Sequence, residues 1–285
     1  MPKSSYDVVI VGTDLPALIF GALAAKKGYR VLVLGHGGKD NVYEVEGFHF
    51  LRRPQLMFGF QDSTPVREVF RELALAPEMR NLPRPMLPTA SIVLPDARIE
   101  FTHVKEVLDA EIGREFPTGG ATLQTFLSSI ADAEQALEPL LKENPVLPPG
   151  TIREYFGYRR HAKALQHLAR SGDEDALAPL AADPRMRAMF AAPMSFLSGL
   201  SAPWRFPLPS VRLVNHLMRG LFHVEWGVDA LKSLLLERIR SNSGDVRISD
   251  QVDMLVVRGG RVREVEIRSR DEEIGVGLLA AGTDL

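Results

Sequence analysis

An α/β fold is predicted, with a parallel-sheet domain assembled from both ends of the chain and interrupted by a mainly helical insertion. Three observations predict it. Two wholly apolar runs, Val8 to Val11 and Val31 to Leu34, flank a segment with helical periodicity. The middle of the chain carries apolar residues at helical spacing, and the carboxyl-terminal stretch returns to short, strand-like runs.

The first run is followed by a turn at Gly12-Thr13-Asp14, and a helical pattern then begins at Leu15. Leu15, Leu18, Ile19, Ala22 and Leu23 share one face. Asp14 is a good N-cap residue, and Gly28 is a stop signal after the last lysines. Two apolar strands joined by one crossover helix make a right-handed parallel βαβ unit, which needs cover on both faces. A helix is expected from about Pro65 to Leu75, with Val66, Val69, Phe70 and Leu73 as its stripe. Ser91 to Phe101 alternate around Pro95-Asp96 as a hairpin does. Leu123, Phe126, Leu127, Ile130 and Leu137 mark a longer helix that ends before the proline-rich linker Pro145 to Pro149. From Gly227 a helix bearing Leu231, Leu234, Leu235 and Ile239 runs to a turn at Ser241 to Gly244. Strands are expected at Val246 to Ile248, Met254 to Val257, Arg261 to Arg268 and Gly275 to Ala281, with Gly259-Gly260 as a hairpin turn.

Composition narrows the function classes. A 285-residue chain that is 45% hydrophobic and 25% charged has the make-up of an ordinary globular protein. A net charge of -2 gives no general attraction to a polyanion. The basic cluster Arg159, Arg160, His161 and Lys163 reads as a solvated helix face, since no stacking aromatics alternate with it, so nucleic acid is set aside as a partner. The lack of cysteine removes thiolate chemistry and disulfides and agrees with a reducing compartment. No secretion signal precedes the first strand and no apolar run approaches the roughly 20 residues of a membrane span. A cytoplasmic protein is expected, with membrane contact limited to its periphery. Met186, Met189, Phe190, Met194, Phe196 and Leu197 fall within Leu177 to Trp204, where a tunnel for an apolar ligand competes with a plain core role, the reading preferred. His216 and His223, seven apart, are placed to share a helix face, with a structural role expected over metal binding.

The turn after the first strand carries the chemistry. A dinucleotide-binding, Rossmann-type turn needs glycines so that backbone can approach a pyrophosphate at a helix N-terminus, and an acid at the end of the second strand to hold a ribose hydroxyl. Against G-x-G-x-x-G/A, Gly12 keeps the first position and Ala17 is an accepted third, but Asp14 replaces the second glycine. A carboxylate there costs about 1 to 3 kcal/mol of phosphate binding if unrelieved. Gly35 stands where the ribose-binding acid belongs. Asp14 as a helix cap alone, with the turn kept for packing, is the competing reading.

Several further segments, in order, resemble the phytoene desaturase-like family of the flavin-dependent amine oxidase superfamily. Asp7-Val8-Val9-Ile10-Val11-Gly12 opens the match, and Gly47-Phe48-His49-Phe50 resembles the family's G-F-x-F segment. Leu94-Pro95-Asp96-Ala97-Arg98 resembles its P-D-G-R hairpin and Glu115-Phe116-Pro117 its E-x-F-P stretch. Trp226-Gly227-Val228-Asp229-Ala230-Leu231, then Gly244-Asp245-Val246-Arg247 and Gly259-Gly260-Arg261-Val262, resemble its run from G-G-M-x-A-L to a G-x-V hairpin. The resemblance implies an FAD/NAD(P)-binding Rossmann-like domain formed by residues 1–62 and 223–285, with a substrate or cap domain at 63–222. It also implies FAD as cofactor, an apolar polyene or isoprenoid substrate, and hydride transfer at the flavin. By the same resemblance Gly12, Asp14, Leu15 and Ala17 border the pyrophosphate, Gly35 the ribose, and Val252 offers its backbone to the adenine. Gly37-Gly38-Lys39 matches a shifted form of the family's G-G-R cofactor segment, with Lys39 as a point charge and a solvated loop as the preferred alternative.

Two departures keep a second function in view. Asp14 and Gly35 both oppose dinucleotide binding, and the family's second flavin-binding segment has no counterpart before Leu285. A truncated piece, a natural half, or one subunit completed by a second chain are the expectations that follow. The alternative to an oxidoreductase is therefore a non-catalytic binding module with weakened or lost flavin binding, as in the related GDP dissociation inhibitors that hold prenylated proteins. A third reading, NAD(P) on the same βαβ unit, lacks a ribose ligand at the second strand and ranks last.

Overall fold

The computed structural model describes residues 4–35, 42–51, 56–59, 63–142, 150–157, 159, 175–224 and 227–282. In chain order its strands are β1 (Ser4–Val11), β2 (Val31–Gly35), β3 (Val42–Val45), β4 (Phe48–Leu51), β5 (Leu56–Met57), β6 (Pro83–Pro85), β7 (Ala90–Leu94), β8 (Ala97–Phe101), β9 (Phe222–Val224), β10 (Asp245–Gln251), β11 (Met254–Arg258), β12 (Arg261–Ile267) and β13 (Glu272–Ala281). The helices that matter here are α1 (Leu15–Lys26), α2 (Thr64–Glu72), α3 (Ala76–Asn81), α4 (Lys105–Glu115), α5 (Gly120–Lys142), α6 (Pro184–Ser198), α7 (Pro207–Arg219) and α8 (Val228–Ser241). Among the described residues no helix is long and apolar enough to cross a membrane. The linker Pro145 to Pro149, the residues Arg160, His161 and Lys163, and Trp226 lie outside the described residues, while Arg159 is exposed.

The chain divides into two compact units, one formed by Met1–Gln55, Val69–Leu82 and Val224–Leu285, the other by Leu56–Glu68 and Pro83–His223. Val69–Leu82, inside the stretch the sequence assigns to the insertion, lies in the first unit.

In the first unit, β1 pairs in parallel with both β2 and β13, and β10 lies parallel on the far side of β2. An antiparallel meander, β11-β12-β13, completes the six-stranded order β10-β2-β1-β13-β12-β11. The apolar runs are buried on both faces, as a parallel sheet requires. On one face Val9, Leu32 and Leu34 pack with Val265, Ile267, Ile274 and Val276. On the other, Gly21 of α1 fits closely between Ile10 of β1 and Ile239 of α8: a Cβ at Gly21 would come within 2.5 Å of Ile10 Cδ1 and 3.2 Å of Ile239 Cδ1. Each fully buried Val, Leu or Ile contributes about 1.5 to 3 kcal/mol.

The second unit holds the β7–β8 hairpin, a small β5-β9-β6 sheet and helices α4 to α7. Its core centres on Phe190, whose ring meets the rings of Phe101 and Phe126 edge-on at 5.4 and 5.2 Å. Met186, Met189 and Met194 are buried in the same cluster, whereas Phe196 is exposed. Inside this apolar unit, Glu134 of α5 is paired with Arg212 of α7. His216 and His223 do not share a helix, because α7 ends at Arg219, Gly220 takes φ +103°, and His223 lies in β9.

Candidate dinucleotide-binding site

The expected site residues that the structure describes gather at the carboxyl ends of the parallel strands. β1 ends at Val11 and delivers Gly12, whose φ of +102° is open to glycine and strained for other residues. The Gly12 amide donates to the Leu34 carbonyl at 3.0 Å, which ties the turn to the end of β2, where Gly35 follows. β13 arrives on the other side, its following Gly282 donating to the Val11 carbonyl at 2.8 Å. Val252 follows Gln251, the register partner of Gly35, and is half-buried. Lys39, with Gly37 and Gly38, lies outside the described residues.

Asp14 is the N-cap of α1. Its Oδ1 accepts from the Ala17 amide at 3.3 Å. Pro16, in the first turn, has no amide to offer, so the head of the helix retains the Leu15 amide toward an incoming anion. Burial pushes the Asp14 carboxyl above the ordinary carboxylate range, opposed by the Ala17 hydrogen bond and by the charge of Lys232. Lys232 itself reaches Asp229 at 3.5 Å.

Gly35 departs from the fingerprint for a different reason. The β2–β10 register shifts between Arg247 and Gln251. The shifted segment brings backbone against Gly35: a Cβ there would stand 2.0 Å from the Ile248 carbonyl oxygen and 3.3 Å from that of Asp250. An acidic side chain cannot occupy the position without moving β10.

Two features of the site were not read from the sequence. Gly282 packs directly on the turn, since a Cβ there would lie 2.3 Å from both Ala17 Cβ and Asp14 Oδ1. An ion cluster holds the shifted part of β10: the buried Asp250 Oδ2 accepts from Arg247 Nε at 2.6 Å and lies 2.7 Å from Arg270 Nε. Arg247 also donates to Glu272 at 2.5 Å. Burial would raise the Asp250 carboxyl, but the two guanidinium groups overcome it and hold it below the usual range. The hydrogen bond from Arg247 holds Glu272 low as well, against its burial. Beside this cluster Tyr6 donates to Asp245 at 2.6 Å, and burial with that bond pushes its hydroxyl up to about 12. The three-residue spacing of Arg247 and Asp250 was the available signal for the cluster.

Tested against a bound dinucleotide, the backbone fits. The positive-φ glycine turn and the Leu15 amide at the head of a helix meet the general backbone requirements of such a group, and Val252 follows the register partner of Gly35. The side chain of Asp14 opposes the diphosphate, and no ribose-binding acid stands at Gly35.

This sheet, meander and glycine turn define a Rossmann-type α/β fold. Solved structures with the same fold include an engineered putrescine oxidase, at TM-score 0.53 and 15% identity over 97% of this chain and 57% of that one. Rab GDI from Plasmodium falciparum follows at TM-score 0.51 and 11% identity over 99% of this chain and 66% of that one. In sequence, the homologues are of the carotenoid desaturase kind, in keeping with the phytoene desaturase-like resemblance. Prolycopene isomerase from Daucus carota is 22% identical over 98% of this chain and 46% of its own length. The 4,4'-diapophytoene desaturase of Methylomonas sp is 23% identical over 92% and 50%. The chain spans about half the length of the curated relatives it matches. No family model matches it.

Proposed function

We propose that this chain is part of an FAD-dependent oxidoreductase acting on carbon–carbon double bonds of an apolar polyene or isoprenoid. The observation that carries the reading is the match, over nearly the whole chain, to a prolycopene isomerase and a diapophytoene desaturase. The turn at Gly12, with its positive φ, supports it. FAD, when bound, supplies the hydride chemistry. The chain's own residues would hold it: Gly12 would let the backbone turn close to the diphosphate, the Leu15 amide and the positive end of α1 would bind it, and the Val252 backbone would serve the adenine. Completion of the cofactor site by a second chain, and peripheral contact with a membrane that carries the apolar substrate, belong to the same proposal.

A second reading, a flavin-free binding module on the same fold, is favoured by Asp14 on the Ala17 amide and by the Ile248 carbonyl against Gly35. To separate the two, the chain is mixed with FAD and a detergent-dispersed polyene, and the visible band of the polyene is followed. A flavin-dependent shift of that band is expected. No retained flavin together with an unchanged band, with oxidised or reduced FAD, contradicts the first reading and leaves the second.

A further inference from the structure

Asp14 occupies the one fingerprint position where this chain places an ionisable group at the head of α1, and the surrounding geometry fixes its carboxylate there. Oδ1 holds the Ala17 amide at 3.3 Å. Gly282 presses against the same carboxylate, leaving no space for so much as a Cβ between them. Of the charged side chains among the described residues, Lys232 of α8 acts on it, and Lys232 is shared with Asp229. Among the described residues no arginine acts on it to offset the charge.

Given the flavin reading above, we propose that Asp14 is an internal anion competing with the cofactor's diphosphate for the head of α1, so that FAD binding is coupled to protonation of Asp14. The direction follows from charge. A bound diphosphate disfavours the ionised carboxylate, so binding takes up a proton and affinity falls as pH rises through the range in which Asp14 ionises. Above that range the profile is flat. Burial of the carboxyl moves the range upward.

The test is the dissociation constant of FAD for the full chain, read from quenching of flavin fluorescence between about pH 5 and pH 8. It is measured for the wild type, for Asp14→Asn, which keeps a capping oxygen without charge, and for Asp14→Gly, which restores the fingerprint. Thermal melts of each variant check that the fold is kept. At the alkaline end both variants bind FAD roughly ten- to a hundredfold more tightly than the wild type. The wild-type affinity rises toward the acid end, approaching that of Asp14→Asn, whose own profile is level. Equal affinity of wild type and Asp14→Asn at every pH overturns the inference and leaves the flavin reading standing. Failure of all three proteins to bind FAD at any pH overturns the flavin reading and the inference with it.

Discussion

The head of α1 and the end of β2 face the same end of the sheet, and both depart from the dinucleotide fingerprint, yet their physics differ. At α1 a carboxylate has been gained, and nothing in the backbone demands it: another capping residue would serve the helix. At β2 a carboxylate is absent because the Ile248 carbonyl fills the space, and the backbone of β10 enforces glycine. Counting both as equal defects in a motif hides the distinction. One is a change of charge on an intact frame, and the other is a change of the frame.

Substitutions that separate charge from frame give the comparison its sharpest form. The largest effect is expected from Gly35→Glu, which supplies the missing acid but drives a side chain into β10; a loss of about 4 kcal/mol or more is predicted, read by denaturant unfolding. Restored ribose binding with unchanged stability would break the distinction. Next comes Asp250→Asn, which leaves Arg247 and Arg270 without their shared carboxylate and costs about 3 kcal/mol. The same cluster sets a pH dependence. Asp250 and Glu272 are held below their ordinary range, so their contribution is full at neutral pH and is lost on acidification through those lowered values. The stability of Asp250→Asn, read by denaturant unfolding, should accordingly fall less on acidification than that of the wild type. Gly282→Ala is expected to cost about 2 kcal/mol, because its methyl meets Ala17 and Asp14. Smallest is the pair at the cap: about 1 kcal/mol for Asp14→Ala and under about 0.5 kcal/mol for Asp14→Asn in thermal melts.

Much of the fold was legible because the apolar patterns have definite periods. β1, α1 and β2 follow from two buried runs and one helical stripe, and the β11–β12 hairpin from Gly259-Gly260, whose φ values are +60° and +71°. Asp14 as cap and Gly12 as the open turn were equally readable. The reason for Gly35 was not, since it depends on a register shift in β10, a strand distant in sequence. Gly282 reads as the end of a strand until the turn it packs against is in view. The spacing of His216 and His223 misled because seven residues place two side chains on one face only if the helix continues, and Gly220 ends it. Methionine-rich spacing in α6 marked core at Met186, Met189 and Met194, and gave no warning that Phe196 faces outward.

On the proposed reading the Gly12 turn still holds flavin despite both departures. The most direct test is the visible absorption spectrum of the purified chain with stoichiometric FAD, recorded from acid to alkaline pH. A flavin band perturbed from that of free FAD is expected, the perturbation weakening as the pH is raised. A spectrum identical to free FAD at every pH, in wild type and in Asp14→Gly alike, would contradict it.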